Sequence, residues 1–494
     1  MILNNLPPLL VVIPLLLAPV AAIIPIAPLG WVLATLGTGA AFVIALLLQS
    51  ITTAGLRVTY NLGNWAPPWG IEFIVDGAAS LTLVVTTGLA FAATLYARRS
   101  IAAEIAEGDV GKTYAAWLLA CGGLSGLVMT GDAFNLFVFL EISALGSVIL
   151  IAMGAGRVRR ALIAAYNYLI IGAVGATFYV IGVGFTYAMT GTLNMADLAA
   201  RLPELADSTV IYVGFGFMVA GLLVKAAVFP VHIWLPSAYS YAPSAVSTLL
   251  AAIATKAAIY VLARIIFTVF GGLPELTGLA LTWVIIPLSI AGIFSGTILA
   301  IYESDLKKML AFSSIAQIGY ITLGLGIATS ASVAASFIHI GNHAVIKGGL
   351  FMAVGAFFLV VGQRISLDNI AGLGRRMPIT TAAFLVCGLS LIGLPLTAGF
   401  ISKLYLVRAL IDADQMLIMI LVLVSSALSV IYLWQVVELL WAPSEDDAAT
   451  KRGESPALYI PLWIIAGANI WLGIFPSALT DAAALAARAL GVGA

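Results

Sequence analysis

Apolar runs of about twenty residues follow one another along almost the whole chain, separated by short polar stretches. About twenty apolar residues form an α-helix long enough to cross the hydrocarbon core of a bilayer. Hydrophobic residues make up 62% of the 494 residues and charged residues only 9%, whereas about a quarter of the residues of a soluble domain are charged. The sequence therefore predicts an all-α integral membrane protein.

We count about fourteen transmembrane helices from these runs. The N-terminal stretch MILNNLPPLLVVIPLLL has no basic region before its apolar run, so we interpret this run as a retained span and not as a signal peptide. The seventh span, with an extension over 230–242, and the twelfth contain internal breaks. The spans cover residues 6–26, 29–50, 72–97, 113–130, 132–153, 161–189, 209–229, 243–270, 279–301, 306–327, 331–362, 378–410, 415–441 and 457–478.

The Lys and Arg residues are distributed unequally between the two sides of this predicted topology. Of the 22, 13 lie in loops after odd-numbered spans, five lie on the other side and four lie inside spans. By the positive-inside rule the richer side is cytoplasmic, so both termini are predicted to be extracytoplasmic. The 13 are Arg98, Arg99, Lys112, Arg157, Arg159, Arg160, Lys307, Lys308, Arg364, Arg375, Arg376, Lys451 and Arg452.

The polar loops are too short to hold a soluble catalytic domain. Cys121 and Cys387 lie in separate spans without C-x-x-C spacing, which argues against a disulfide framework and an iron–sulfur site. The net charge of zero gives no electrostatic basis for nucleic-acid binding. We therefore expect no cofactor and no catalytic chemistry of its own, with energy supplied by an ion gradient or a partner subunit. The largest loops are 98–112, 190–208, 363–377 and 442–456.

Four lysines, Lys225, Lys256, Lys347 and Lys403, lie inside predicted spans. A charged side chain at the centre of a bilayer costs about 3 kcal/mol or more unless it is paired, hydrated or neutral. Such residues face the interior of the helix bundle and commonly mark ion pathways. The sequence thus predicts a proton or cation path that includes these lysines.

Lys225 lies in a stretch, 221–260, that contains three prolines and His232. Proline breaks or bends a helix, and broken helices mark ion sites in transporters. Glu141 lies in the middle of the fifth span, nine residues after Asp132, which we expect to be interfacial. Our hypothesis is a switchable Lys225–Glu141 pair; the alternatives are a static structural ion pair and a glutamate that extends to the interface. The prolines are Pro230, Pro236 and Pro243.

Lys256 lies halfway along the eighth span, in the alanine-rich sequence AAIATKAAIY. The small neighbours leave room for water beside its side chain, and Thr255 and Tyr260 could extend a hydrogen-bonded relay. Arg264, two turns further along, is predicted to be an anchor whose long side chain reaches the membrane interface.

His339, His343 and Lys347 recur every four residues in the eleventh span, which places them on one face of a helix. Histidine titrates closest to physiological pH and so suits proton relay. A zinc site and a purely structural histidine face are the alternatives, but no further carboxylate or cysteine ligand lies near in sequence. We predict no metal site.

Lys403 is the last residue of GLPLTAGFISK, whose Gly393, Pro395 and Gly399 predict a second broken helix. At the start of the tenth span, Lys307 and Lys308 are interpreted as positive-inside anchors, with proton uptake as a secondary possibility.

Six stretches together resemble the antiporter-like, proton-translocating subunits shared by respiratory complex I, membrane-bound hydrogenases and Mrp-type multisubunit cation/proton antiporters. The resemblance covers most of the chain and is strongest over 128–410. The stretches are TGDAFNLFVFLE (130–141), LLVKAAVFPVHIWLP (222–236), APSAVSTLLAAIATK (242–256), DLKKMLAFSSIAQIGY (305–320), HIGNHAVIKGGLF (339–351) and LIGLPLTAGFISK (391–403).

This resemblance implies two inverted five-helix repeats, each containing a broken helix, over residues 112–270 and 271–441. Residues 1–111 would supply the first three helices, and 442–494 a loop and the last helix. The resemblance also implies a polar axis: Glu141 and Lys225 as an interacting pair, Lys256 with the His339/His343/Lys347 face at the centre, and Lys403 at the end. Gln317 occupies a position that is often histidine in such proteins, which puts a direct proton link there in doubt.

Within the family, the stretches 65–81, 130–141 and 189–198 look most like the D-type subunits of Mrp antiporters, whereas 311–320 and 342–351 read equally like complex I subunits. Three hypotheses follow: a subunit of a cation (Na⁺)/proton antiporter, a proton-pumping subunit of a redox complex such as NADH:quinone oxidoreductase or a membrane-bound hydrogenase, and a membrane scaffold. The first two imply other hydrophobic subunits as partners and a multi-pass protein of the bacterial cell membrane.

Overall fold

A computed structural model describes residues 5–24, 26–443 and 454–492. Lys451 and Arg452, which contribute to the predicted topology, lie outside these described residues. The described chain is a bundle of α-helices with one small β-hairpin. The N-terminal block consists of α1 (Leu6–Ile23), α2 (Ala27–Thr53), the strands β1 (Val58–Asn61) and β2 (Glu72–Val75), and α3 (Gly77–Glu104).

The next group contains the first broken helix. It consists of α4 (Val110–Met129), α5 (Ala133–Ala152), α6 (Arg160–Thr190), α7 (Met195–Arg201), α8 (Thr209–Ala226), α9 (Trp234–Tyr241), α10 (Ser244–Leu249) and α11 (Thr255–Ala263). A π-helical turn, Leu250–Ala254, joins α10 to α11, and a second, Arg264–Val269, follows α11.

The third group contains the second broken helix, and two further helices complete the described chain. The group consists of α12 (Pro274–Ala280), a π-helical turn (Leu281–Ile285), α13 (Ile286–Ile301), α14 (Leu306–Ile327), α15 (Ser330–Val361), α16 (Leu373–Arg376), α17 (Pro378–Ile392), α18 (Ala398–Asp412) and α19 (Met416–Trp441). The last two helices are α20 (Pro456–Ile474) and α21 (Ser477–Ala489).

All fourteen predicted spans correspond to helices or helix pairs of the structure. Twelve are single helices or joined segments that are long and apolar enough to cross a membrane. The other two are α4, with 20 residues, and the broken pair α17–α18. The prediction of an all-helical, multi-pass fold is confirmed.

Both predicted helix breaks are present, and each begins at a residue with left-handed backbone conformation. Ala227 (φ +56°) ends α8, and the Trp234 indole donates a hydrogen bond of 3.0 Å to the Val224 carbonyl across the break. Gly393 (φ +94°) ends α17, and the next helix begins at Ala398. In lipid such breaks persist where protein groups take up the freed backbone hydrogen bonds.

The position of the breaks supports an arrangement in repeats. Counted in spans, the broken helix is the fourth of five both in the α4–α11 group and in the α12–α19 group. Because five is an odd number, the second group starts on the membrane face opposite to the first. The two groups therefore run through the membrane in opposite directions, as an inverted repeat requires.

A third interruption was not predicted. The fourteenth span was expected to end at 478, but after Phe475 and Pro476 the chain continues as α21, which packs against α3 and α15. Gly473, just before this interruption, lies against Leu396 and Thr397 in the break between α17 and α18. A side chain at Gly473 would collide with that backbone, so glycine here allows the two interruptions to lie side by side.

Helix α15 is the centre of the molecule. It packs against α3, α10, α14, α17, α18, α20 and α21, and nearly all of its residues from Ser332 to Phe357 are buried. Gly349 and Gly355 allow close approach of Cys387 and Ser244, respectively. A polar group on α15 is therefore shielded from lipid on every side.

The β-hairpin brings together the three stretches that most resemble the D-type subunits. The Gly131 amide donates to the Glu72 carbonyl at 2.9 Å, and the Ala133 amide donates to the Leu193 carbonyl at 2.8 Å. The Asn194 side chain donates to the Glu72 carboxylate at 2.7 Å. These bonds join the hairpin, the start of α5 and the start of α7 into one cap over the end of the bundle opposite the Arg/Lys-rich loops.

Candidate functional site

Three titratable side chains of α15 form a buried row. His339, His343 and Lys347 lie on one face of the helix, and the side chains of His343 and Lys347 have no exposed surface. The two imidazole rings are nearly parallel, at 7°, with centroids 5.9 Å apart. The predicted histidine–lysine face is therefore present and lies inside the bundle.

His339 connects α15 to two neighbouring helices. Its Nε2 lies 2.9 Å from the Gln317 amide oxygen on α14, and its Nδ1 lies 2.7 Å from the Ser402 hydroxyl on α18. An amide oxygen only accepts, so Nε2 carries the hydrogen and Nδ1 accepts from the Ser402 hydroxyl. Gln317 thus makes a direct bond to the row, although an amide does not itself titrate.

His343 differs from His339 because neither of its ring nitrogens has a hydrogen-bond partner among the described protein groups. A buried polar atom without a partner is costly. The neighbouring Asn342 donates to the Ala398 carbonyl at 2.6 Å but leaves its own oxygen unpaired. His343 is therefore the member of the row whose ring nitrogens are not hydrogen-bonded to the described protein groups.

Lys347 and Lys256 both donate to backbone carbonyls. Lys347 binds the Leu310 carbonyl at 2.9 Å and the Ser313 hydroxyl, both on α14. Lys256 donates to the Ala251 carbonyl within the π-helical turn. A π-turn disturbs the regular hydrogen-bond ladder and is frequent at functional sites. The same turn packs on α15, with Ala252 beside Gly348, so the two lysines belong to adjoining elements.

Lys403 lies at the second helix break. Its ammonium donates to the Leu391 and Ile392 carbonyls, at 3.1 and 2.8 Å, and to the Ser426 hydroxyl at 2.7 Å. The last carbonyls of a helix carry partial negative charge, which favours a cation. Lys403 follows Ser402, the partner of His339, and its ammonium lies 5.3 Å from the centre of the Tyr320 ring, which stands edge-on to His339 with centroids 6.0 Å apart.

Lys225 and Glu141 do not form an ion pair in this structure. Lys225 is in the last turn of α8, Glu141 is on α5, and no nitrogen–oxygen distance of 4.0 Å or less joins them within the described residues. One Glu141 oxygen is buried without a partner. The lysine ammonium lies beside Gly172 of α6, where a Cβ would be only 3.3 Å away. The predicted direct pair is thus absent from this conformation.

Aromatic side chains link the first break to the central row. Trp234 bonds to the backbone just before Lys225, and its ring lies 6.4 Å from that of Tyr239. The Tyr239 hydroxyl donates to the Leu250 carbonyl at the start of the π-turn, at 3.1 Å. His232 lies in the break itself, stacked on Phe229 at 5.4 Å, with one ring nitrogen unpaired.

The other secondary residues of the prediction lie nearer the ends of helices. Asp132 caps α5 by accepting from the Asn135 amide at 2.7 Å, and burial raises the pKa of its carboxyl. Lys308 forms a partly exposed ion pair of 2.6 Å with Glu303. Lys307 is buried and donates to the Ala242 carbonyl at 3.1 Å. Of the two, only Lys307 lies inside the protein.

Arg264, predicted to be an interfacial anchor, is held by a carboxylate just before the span of α3. Its guanidinium is largely buried and binds both Asp76 oxygens, at 2.7 and 2.8 Å, and the Tyr260 hydroxyl at 2.8 Å. Asp76 also caps the start of α3. Burial by itself would raise the pKa of Asp76, but the Arg264 charge and hydrogen bonds outweigh burial, so this pKa lies below its ordinary value. The partner, on a distant part of the chain, could not be read from local sequence.

Several polar groups of the site were not singled out by the sequence. Ser402 contacts His339, Ser426 contacts Lys403, and Asn342, next to His343 on α15, donates to the Ala398 carbonyl at the start of α18. The signal available was an asparagine or serine within an otherwise apolar span, which is weak because serine also bonds to its own helix. Glu104, the last residue of α3, was assigned to a loop but is buried.

The four intramembrane lysines have one property in common. None forms an ion pair with a carboxylate in the part of the chain that the structure describes. Buried lysines and histidines beside broken helices are typical of membrane proteins that move ions. Here the partial charges of carbonyls and hydroxyls take the place of fixed carboxylate partners. The chain belongs to the NADH:quinone oxidoreductase/Mrp antiporter transmembrane family, which it matches over residues 130–429.

Relatives of two kinds resemble the chain. It is 40% identical to NADH-quinone oxidoreductase subunit N of Desulforudis audaxviator, over 95% of this chain and 96% of that protein. It is 30% identical to the D subunit of the Na⁺/H⁺ antiporter of Bacillus subtilis, over 87% of this chain and 85% of that protein. The family resemblance predicted from the sequence is confirmed.

Two solved assemblies contain chains with the same fold. A chain of the Mrp complex from Dietzia sp. DQ12-45-1b superposes with a TM-score of 0.89 and 27% identity, covering 99% of this chain and 98% of that one. A chain of the membrane-bound sulfane sulfur reductase, an archaeal respiratory membrane complex, gives a TM-score of 0.89 and 29% identity, covering 98% and 97%. Both similar chains are parts of multisubunit membrane complexes.

Proposed function

We propose that this chain is the ion-translocating membrane subunit of a multisubunit monovalent cation (Na⁺)/proton antiporter. The observation that carries the proposal is the buried row from Lys256 through His343, Lys347 and His339 to Lys403, whose lysines are held by carbonyls and hydroxyls instead of carboxylates. A lysine without a carboxylate partner can lose its proton without leaving a buried negative charge behind. Each member can therefore alternate between protonated and neutral forms.

In this mechanism Glu141 and Lys225 control one end of the row. When the two side chains approach each other, the carboxylate favours the charged form of the lysine; when they separate, burial favours the neutral amine and the proton moves on. In this mechanism an arrangement without a direct Glu141–Lys225 contact would be the second state. His339 and Ser402 would carry the proton between the α15 row and Lys403.

A second candidate function is a proton-pumping subunit of a redox complex. The 40% identity to a protein named NADH-quinone oxidoreductase subunit N favours it. The chemistry of the buried row would be the same in either complex, because the row moves protons whatever drives it. The difference lies in the companion subunits: an antiporter needs none with redox centres, whereas a redox pump needs flavin or iron–sulfur subunits.

The decisive experiment is purification of the native complex with this chain tagged, followed by identification of its subunits and by proton-flux measurements in proteoliposomes. For the antiporter we expect only hydrophobic companions and a Na⁺ gradient that drives proton movement. Flavin or iron–sulfur companions together with flux that depends on an electron donor would replace the first proposal with the second. In a scaffold, Lys256→Ala would leave flux intact.

For the location we propose a bacterial cell (inner) membrane, with both chain termini outside. The basic face, defined by the loops that carry Arg98, Arg157, Lys307 and Arg364, would then be cytoplasmic, as the positive-inside rule requires. Bacterial relatives support this placement. The β-hairpin cap would face the exterior.

A further inference from the structure

A small cavity lined by charged and apolar groups lies at the basic face, among α3, α9, α14 and α15. Its volume is about 30 Å³, and about 10–15 Å³ is enough to hold one water molecule. The cavity is therefore large enough for water beside charged groups. The side chains that line it include Glu104, Arg157, Tyr241, Lys307, Phe358 and Arg364.

Glu104 is the buried carboxylate of this cavity. Only 9% of the residue is exposed, at the last position of α3. One of its oxygens accepts from the Ser100 hydroxyl at 2.7 Å, and both lie 3.1 Å from the Ser244 amide at the start of α10. No cation lies within 4.0 Å of its oxygens in the described chain. The carboxylate is thus held by neutral donors and borders the cavity.

Lys307 lies on the opposite side of the chain segment around Pro243 that Glu104 also contacts. Its ammonium donates to the Ala242 carbonyl, whereas Glu104 binds the Ser244 amide, so the two charged groups hold the peptide groups on either side of Pro243. From Pro243 the chain leads through α10 and the π-turn to Lys256. One turn beyond Lys307, the Leu310 carbonyl accepts from Lys347. The elements that border the cavity are thus the ones that lead to Lys256 and hold Lys347.

Two further observations concern the borders of the cavity. On the inner side, the Ser244 hydroxyl is fully buried and has no partner among the described groups. On the outer side, Arg364 pairs with Asp305 at 2.7 Å and stacks over the Tyr241 ring at 4.4 Å. The side chain of Arg364 is 32% exposed. A partly exposed ion pair thus forms part of the outer border of the cavity.

We propose that Glu104 is a further proton-translocating residue, which takes up protons at the basic face and passes them to the central lysines. The proposal rests on the proposed function of the row. The carboxylate accepts a proton from water in the cavity, becomes a neutral acid, and returns to the carboxylate when the proton moves inward to a neutral lysine amine.

The alternative is that Glu104 only caps α10. Glu104→Gln separates these roles, because the amide oxygen still accepts from the Ser244 amide but the side chain no longer exchanges a proton at neutral pH. The pH dependence of proton flux also depends on the other charged or titratable groups that face Glu104 or line its cavity. These are Tyr96, Arg157, Tyr241, Asp305, Lys307 and Arg364.

The test uses the purified whole complex in proteoliposomes, with proton flux measured while the pH on the basic side is varied. For Glu104→Gln we expect flux to fall by about tenfold or more, since a positioned proton-transfer group contributes at least this much, and the dependence on basic-side pH to flatten. Assembly and thermal melting should match wild type. The matched control is Glu107→Gln, an exposed carboxylate three residues further on, which should behave as wild type.

Should Glu104→Gln fail to assemble, Glu104→Asp decides: an altered pH profile supports the proposal and an unaltered one overturns it. Wild-type flux and pH profile in Glu104→Gln would overturn the proposal alone. Absence of flux in the wild-type complex would overturn the proposed function, and this inference with it.

Discussion

At the residue scale, the site depends on which groups stabilise the positive charge of each buried Lys or Arg side chain. Lys403, Lys347 and Lys256 are compensated by backbone carbonyls or hydroxyls, and Arg264 by a bidentate carboxylate. A guanidinium stays protonated and suits a permanent pair, whereas a lysine amine can lose its proton. Arg264 with Asp76 is therefore a fixed structural contact between α3 and the helix that carries Lys256, and the lysines are the mobile part of the site.

The first prediction concerns the side chains of Glu141 and Lys225. Glu141→Ala and Lys225→Ala should each reduce proton flux by about 100-fold, within the range that a positioned proton-transfer group contributes. The complex should still assemble, because the two side chains make no ion pair with each other in the described chain that would be broken. The measurement is flux in proteoliposomes alongside subunit composition. Near-normal flux in Glu141→Ala would refute the paired gate, and loss of assembly in Lys225→Ala would favour the scaffold.

At the scale of single elements, the important features are interruptions of helices. The breaks in α8–α9 and α17–α18 and the π-turn before α11 each leave carbonyl groups outside the regular ladder. In an intact helix each carbonyl already accepts a hydrogen bond from an amide of its own helix, and only its second lone pair remains, as at Leu310, which accepts from Lys347. The interruptions therefore supply the partial negative charges on which Lys256 and Lys403 depend.

The second prediction concerns Gly393, which ends α17 at φ +94°. A Cβ at this position would lie 2.9 Å from Cδ of Lys403, and the left-handed conformation disfavours any L side chain. We expect Gly393→Ala to destabilise the protein by about 1–2 kcal/mol and to reduce proton flux by displacing Lys403. Thermal melting and flux of the purified complex check both effects.

The control for that substitution is Gly467 in α20, which has open space around it and ordinary helical conformation. Gly467→Ala should leave flux unchanged and raise stability by about 0.5–1 kcal/mol, because alanine loses less entropy in a helix than glycine. Equal melting temperatures and equal flux for both variants would show that the geometry at Gly393 does not hold Lys403 in place.

At the scale of the whole molecule, lipid or partner subunits must cover the outer surface. Large apolar side chains such as Trp283, Trp434 and Ile163 are exposed around the bundle, whereas the polar row lies at its centre. Both similar solved chains come from multisubunit complexes. The orientation of this bundle determines from which side protons reach Glu104 and the row.

The third prediction tests that orientation with single-cysteine labelling. Both native cysteines, Cys121 and Cys387, are buried, so background reaction should be low. Trp69→Cys, at an exposed position beside the hairpin, should react with a membrane-impermeant maleimide in right-side-out vesicles. Glu107→Cys, at the basic face, should react only in inverted vesicles. The reverse pattern would place the basic face outside and contradict the proposed uptake direction.

The sequence by itself determined the membrane class, the fourteen spans, the two predicted helix breaks and the identity of the buried lysines and histidines. These features follow from local properties: the length of apolar runs, the presence of proline and glycine, and the cost of charge in lipid. The four-residue spacing of His339, His343 and Lys347 was also sufficient to place them on one face.

Only the tertiary structure decided which groups these residues meet. The pairing of Arg264 with Asp76, of His339 with Gln317 and Ser402, and of Glu104 with Ser244 joins residues that lie far apart in the chain. It also decided that Lys225 and Glu141 stand apart in this conformation and that Glu104 is buried. Sequence periodicity specifies the face of a helix on which a residue lies, but the neighbour opposite that face depends on how all the helices pack together.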